Sequence, residues 1–157
     1  MIVRRFRVKD LAAIMAIERP TFGVHAFDAT TFLYYALRHR QAFLVGEDAG
    51  EVIGYVMARR SSRAKRQWDI AAIAVHQNRR GQGVGTRLMG EILKALQAVQ
   101  AAVVRLEVKA DNDAAQRLYR RFGFAPTSVL RGYYGPDGDG LRMVLRLAAG
   151  PQDAPAV

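Results

Sequence analysis

Three glycines alternate at Gly81, Gly83 and Gly85, shortly after an apolar run that ends at Val75, with Arg79, Arg80 and Arg87 around them. A turn of this kind that passes at once into a helix suits a phosphate. Glycine lets the backbone approach a bulky anion without Cβ interference, and the first N–H groups of a helix have no partner within it. A helix start carries roughly half a positive charge, and the arginines add full ones. Two further residues are of types that move protons, Glu107 late in a strand pattern and Tyr119 in a helical one. The chain has no cysteine, which removes disulfides, thiolate metal sites and a thiol nucleophile together. Its three histidines, His25, His39 and His76, have no metal-ligand spacing, and no metal is expected.

The elements that must hold these groups are legible in order. Ile2–Val8 alternates apolar and basic residues and predicts a strand. Asp10 is placed to cap a helix over Leu11–Arg19, which Pro20 ends. Thr21–Ala26 reads as a loop, and Asp28 or Thr30 caps a second helix reaching about His39. Gln41–Gly46 and Glu51–Arg59 predict a hairpin around residues 47–50, and Gln67–Val75 a central strand. After the glycines, Val84, Leu88, Met89, Ile92, Leu93 and Leu96 mark a long amphipathic helix. Val103–Lys109 is a strand. A helix capped by Asp111 or Asp113 then runs to about Phe122, with Gly123 as its stop. Phe124, Thr127–Tyr133 and Gly140–Leu147 read as strands, the last two joined by a turn over residues 135–138. The order β-α-α-β-β-β-α-β-α-β-β predicts an α/β fold built on one mixed sheet.

The 157 residues suit one domain, expected over 1–147, with a disordered tail over 148–157. Half the residues are hydrophobic and a quarter charged, a globular composition. No long apolar run predicts a membrane span, and a soluble, cytoplasmic protein is expected. The net charge of +10 is carried by scattered arginines. It admits a polyanionic small ligand, a nucleic-acid or ribosome contact, or simply a solvated surface.

Two phosphate-binding templates fail. The P-loop pattern is absent. A dinucleotide fold places its glycines directly after the strand, whereas here His76–Arg80 intervene. The run Arg80-Gly81-Gln82-Gly83-Val84-Gly85 instead resembles the acetyl-CoA motif of the GNAT acetyltransferases: Arg or Gln, two free positions, Gly, one free position, then Gly or Ala. A second run is similar to that family's closing segment, with Asn112, Ala115, Leu118, Tyr119, Gly123 and Phe124 at the matching positions. The resemblance covers about residues 2–147. Leu106-Glu107-Val108, Arg131-Gly132-Tyr133-Tyr134 and Asp139–Met143 are most like the ribosomal-protein N-terminal alanine acetyltransferases. Two departures stand out: the Pro-Trp of the first inter-helix loop is replaced by Phe22–Asp28, and Gly140 replaces a usual alanine.

The resemblance implies a GNAT-like domain with a mostly antiparallel sheet that moves an acetyl group from acetyl-CoA to an amine by direct attack. It implies a donor site from the backbone of Ile73, Ala74 and Val75 beside the pantetheine arm, Arg80, Gly81, Gln82, Gly83, Val84, Gly85 and Thr86 around the pyrophosphate, and Asn112 and Tyr119. Glu107 is implied as the base, through water, and Tyr119 as the acid for the departing thiolate. Phe22, Phe27, Tyr133 and Tyr134 are implied at the acceptor. From the residues alone, Glu107 equally pairs with Arg105 or Lys109, Tyr119 packs a core, Asn112 caps a helix, and the tyrosine pair packs a sheet edge. An α-amine of pKa about 8 costs roughly 1 kcal/mol to deprotonate at pH 7, a lysine about 4–5, so a protein N-terminus such as a ribosomal protein's is the expected acceptor. A small-molecule amine, a lysine side chain and a non-catalytic acyl-CoA-binding module are the alternatives.

Overall fold

Alternating and helical periodicity resolve into seven strands and four α-helices in the computed structural model, which describes residues 1–148. They are β1 (Ile2–Arg5), α1 (Leu11–Phe22), α2 (Ala29–Arg38), β2 (Phe43–Asp48), β3 (Glu51–Arg60), β4 (Gln67–Val75), α3 (Val84–Ala98), β5 (Val103–Lys109), α4 (Asp113–Arg121), β6 (Ala125–Leu130) and β7 (Gly140–Arg146). The strand order is β1-β2-β3-β4-β5-β7-β6. Strands β4 and β5 run parallel, Gln67–Asp69 against Val103–Arg105. The pairs β1–β2, β2–β3, β5–β7 and β6–β7 are antiparallel. This is the expected mixed, mostly antiparallel sheet. The expected tail lies, beyond Ala148, outside the described residues.

The chain divides into two compact units. The first comprises Met1–Arg59 and Ala71–Ala95. Its core gathers Ile14, Ile17, Phe32, Tyr35, Phe43, Val45, Tyr55 and Met57, all buried. Phe32 meets Tyr55 edge-on at 5.5 Å, and Phe6 stacks on Phe43 at 4.3 Å. Each such side chain contributes about 1.5–3 kcal/mol on leaving water. The second unit comprises Arg60–Ile70 and Leu96–Val157. There Val104, Leu106, Val108, Tyr119, Phe124 and Met143 are buried, the inward residues of β5 as its alternation predicts.

Several element boundaries differ from those expected; α4 is capped by Asn112 and not by Asp111 or Asp113, and β6 opens at Ala125 and not at Thr127. The first strand stops at Arg5 because Asp10 draws the chain into a turn, its carboxylate accepting from the Arg7 N–H at 2.7 Å and from the Arg4 guanidinium at 2.8 and 2.9 Å. Asp10 thus occupies the N-cap position of α1 without capping it. Pro20 lies inside α1 and does not end it. The Thr21 hydroxyl donates to the Ile17 carbonyl at 2.7 Å in that last turn, and Gly23, at φ +54°, is the stop. Strand β2 begins at Phe43 because residues 40–42 form a short 3-10 turn. Strand β6 ends at Leu130, so Tyr133 leaves the expected strand for a turn, in which the Tyr134 N–H donates to the Gly138 carbonyl at 3.0 Å.

Candidate active site

In the first unit β4 delivers Ile73, Ala74 and Val75 to the turn that opens α3. His76 Nδ1 accepts the Asn78 N–H at 3.2 Å, and a 3-10 turn over Gln77–Arg79 follows. Gly81 and Gly83 adopt φ +72° and +80°, and a Cβ on either would meet no atom within 4 Å. The requirement is therefore conformational, and open space lies above both. Gly85 sits in the first turn of α3 and needs no special φ. The Arg87 N–H reaches the Gly83 carbonyl at 3.0 Å, so the N–H groups of Val84, Gly85 and Thr86 lack helical partners. Gln82 ties back to the Asn78 carbonyl at 3.2 Å, and Arg79 pairs with Asp48. The turn is a preformed anion cradle.

A residue absent from the sequence reading sets its floor. Gly54 on β3 faces Gly46 on β2. A Cβ on Gly54 would lie 2.9 Å from the Ala74 carbonyl oxygen, 3.0 Å from Leu88 and 3.3 Å from Val84. The first turns of α3 therefore seat directly on strand backbone. The available signal was an isolated glycine inside a strand pattern.

Arg80 leaves the cradle sideways, its Nε donating to the Val75 carbonyl at 3.1 Å and an Nη to the Thr21 hydroxyl at 3.2 Å. A cavity of about 210 Å³ adjoins it, lined by Ala16, Ile17, Pro20, Thr21, His76 and Gln77. Beyond α1, Phe22 and Phe27 flank the inter-helix loop, both half-buried against the core. Val24 stands 90 % exposed at its tip. The Phe27 N–H donates at 2.8 Å to Glu18, a fully buried carboxylate on α1 that also accepts the Tyr55 hydroxyl. Burial pushes the Glu18 carboxyl above its ordinary range against the pull of those two donors.

Glu107 and Tyr119 both lie in the second unit, and Tyr134 is close enough to each to share its electrostatics. Glu107 on β5 stands opposite Arg142 on β7, and its Oε1 accepts from the Arg142 Nε and Nη at 3.2 and 3.1 Å. Of the neighbours considered from sequence, Arg105 instead bonds Asp69 at 2.9 Å and Lys109 stands 5.9 Å over the Tyr134 ring. Arg142 is a site residue the sequence reading missed, because the pair spans two strands. Tyr119 on α4 is buried and edge-on to Phe124 at 6.1 Å. Burial drives its hydroxyl well above the ordinary tyrosine value, and Tyr134 adds to the shift. Tyr134 is pushed up to about 12 by burial, then by Tyr133 and Glu107. Both phenols hold their protons at neutral pH and can donate them. Asn112 caps α4, accepting the Ala115 N–H at 3.1 Å. Tyr133 lies edge-on to Tyr134, rings 5.0 Å apart. It also explains Gly140, since a Cβ there would meet the Tyr133 side chain at 3.1–3.3 Å. No cluster of three or more His, Cys, Asp or Glu suited to a metal occurs among the described residues, and no helix among them is long and apolar enough to cross a membrane.

Comparisons with known proteins bear on what this geometry serves. Residues 11–124 match the family described as acetyltransferase (GNAT) family. The chain is 32 % identical over 155 residues to an N-alpha-acetyltransferase of Sulfurisphaera tokodaii, covering 92 % of each. Among solved structures it is similar to Ard1 from Thermoplasma volcanium, with a TM-score of 0.85 and 29 % identity over 94 % of this chain and 97 % of that one. It is also similar to Chaetomium thermophilum Naa20 in complex with a bisubstrate analogue, with a TM-score of 0.82 and 26 % identity over 94 % and 87 % of the two chains. With a family match over most of its length and a relative 32 % identical across nearly all of it, the chain is an N-acetyltransferase that uses acetyl-CoA, a member of the acetyltransferase (GNAT) family.

Proposed function

We propose that the acceptor is the N-terminal α-amine of a protein, a ribosomal protein being one such substrate. The observation that carries this reading is the arrangement at Glu107. Arg142 holds one carboxylate oxygen, which leaves the other directed by that grip and able to accept a proton through water. An α-amine needs only this modest base, about 1 kcal/mol at neutral pH against 4–5 for a lysine. The relatives named for N-alpha acetylation support the same acceptor class.

Acetyl-CoA supplies an activated acetyl thioester. The residues of this chain bind, orient and move protons around it. The N–H groups of Val84, Gly85 and Thr86, with Gly81, Gln82 and Gly83, present the cradle to a pyrophosphate, and Arg80 adds charge beside it. The backbone of Ile73–Val75 and the Asn112 amide are assigned to the pantetheine arm. Glu107 takes the proton from the attacking amine. Tyr119, whose burial keeps it protonated, returns one to the thiolate. Phe22, Phe27, Tyr133 and Tyr134 are assigned to the acceptor.

Thiol release from acetyl-CoA tests this with peptides beginning Ala, Ser or Met, against N-blocked peptides bearing lysine and against small amines. Turnover on free N-termini with little on the others is expected. Preference for lysine or a small amine overturns it. Glu107→Gln should lower kcat more at neutral than at alkaline pH, where the amine deprotonates unaided. Tyr119→Phe should lower kcat with both KM values unchanged.

A further inference from the structure

A glutamate buried without a cationic partner needs a reason to be there, because an unpaired carboxylate is costly to remove from water. Glu18 is 1 % exposed, on the face of α1 that meets Phe32, Tyr35 and Tyr55. Among the described residues its carboxylate has two partners and neither is a cation: the Tyr55 hydroxyl at Oε2 and the Phe27 backbone N–H at Oε1. Tyr55 is fully buried on β3 and fixed between Phe32 and Phe43, so it anchors the carboxylate to the sheet. Phe27 lies nine residues after Glu18, at the far end of the inter-helix loop, one position before the Asp28 cap of α2. The carboxylate therefore ties the return of the loop to its origin on α1. Between the ties, residues 23–25 are exposed, with Gly23 at φ +54°. A short turn closes this span, from the Ala26 N–H to the Gly23 carbonyl at 3.1 Å, and the Gly23 N–H donates to the Arg19 carbonyl.

We infer that Glu18 is a positioning residue for the acceptor, acting through the Phe27 N–H to hold the loop of residues 22–28 in its binding conformation. This rests on the reading that the loop grips the acceptor amine's substrate. Glu18 touches no reacting atom. Its oxygen fixes the backbone at Phe27, and the loop conformation so fixed lowers the ordering cost of acceptor binding.

The test separates the tie from the stability of the core. Glu18→Gln keeps the shape and both bonds, its oxygen accepting from Phe27 and its amide donating to the Tyr55 oxygen. Glu18→Met with Tyr55→Phe fills the same volume, orphans no phenol and frees only the Phe27 N–H. Loss of one buried bond is worth about tenfold in an equilibrium, so the double variant should raise the acceptor KM about tenfold and speed Phe27 amide exchange by a similar factor. Its acetyl-CoA KM and kcat should remain within about twofold, because uniform acceptor binding alone is lost. Glu18→Gln should stay within about threefold of the parent throughout, one retained bond being neutral in place of charge-assisted. An unchanged acceptor KM in the double variant, or an equal rise in the acetyl-CoA KM, overturns the inference. Phe22→Leu and Phe27→Leu distinguish the two levels. If they raise the acceptor KM while the double variant does not, the loop reading stands and the role of Glu18 falls. If neither they nor the double variant do, both fall together.

Discussion

Gly54→Ala adds a single methyl group, and the structure says where it must go. The new Cβ would stand 2.9 Å from the Ala74 carbonyl oxygen, 3.0 Å from Leu88 Cδ1 and 3.3 Å from Val84 Cγ1. The first of these is strand backbone, which cannot rotate away as a flexible side-chain end can. Overpacking of this kind costs about 1–3 kcal/mol. The lost freedom of the unfolded chain returns about 0.4–1, leaving a net destabilisation of roughly 1–2 kcal/mol. At about 2–4 °C per kcal/mol for a chain of this size, Tm should fall by roughly 2–8 °C. The atoms that must yield belong to β4 and to the first turns of α3, the two sides of the cradle. The effect is therefore expected on the donor, with the acetyl-CoA KM raised and the acceptor KM unmoved. Thermal unfolding and initial rates with each substrate varied in turn measure both. Gly46→Ala is the control. Its Cβ meets Met1 and Leu88 at 3.4 and 3.6 Å, ordinary contact, and should change little. A Gly54→Ala enzyme with parental Tm and parental acetyl-CoA KM would refute the close seating of α3.

Three other outcomes are expected. Gly83→Ala forces a side chain into φ +80°, at a cost of about 1–2 kcal/mol, and should weaken CoA binding by calorimetry with no gain from the open space above it. Glu18→Gln should stabilise the fold progressively as pH rises. Burial raises the folded-state pKa of Glu18, so between its unfolded value, about 4.3, and that raised value the folded state keeps a proton the unfolded state has released. The parent therefore loses stability with rising pH across this window and the Gln variant does not. A pH-independent difference in Tm between the two would contradict this. Gly140→Ala presses a methyl onto the Tyr133 side chain at 3.1–3.3 Å. It should alter the ranking of acceptor peptides at unchanged acetyl-CoA KM, and an unaltered ranking would remove Tyr133 from the acceptor.

The cradle was legible in the sequence because every part of it is local. A strand, a polar turn, two glycines that need positive φ and an amphipathic helix lie within about one helix length of each other. A motif singles out Glu107 and Tyr119, but it does not give their surroundings. Arg142 reaches Glu107 across 35 positions through the β5–β7 register, which no periodicity announces. Nothing local to Gly54 and Gly46 announces the helix that lies over them. Glu18 followed the helical period of α1 onto its buried face, where charge is not expected. Pro20 is over-weighted as a stop, since α1 runs two residues past it to Phe22 and ends at Gly23, whose φ is positive. Phe22 and Phe27 pack half into the core, and Val24, the exposed apolar residue of that loop, is marked by no motif.

The Arg80 guanidinium serves two masters, the Val75 carbonyl and the Thr21 hydroxyl. Thr21 closes the last turn of α1 through Ile17, just ahead of the loop assigned to the acceptor. A phosphate that recruited this arginine would take it from Thr21, and occupancy of the turn would then be felt at the end of α1. Linkage then requires reciprocity: whatever factor the donor imposes on acceptor affinity, the acceptor must impose on the donor. One side chain on a glycine turn would thereby couple the two affinities, whichever substrate arrives first.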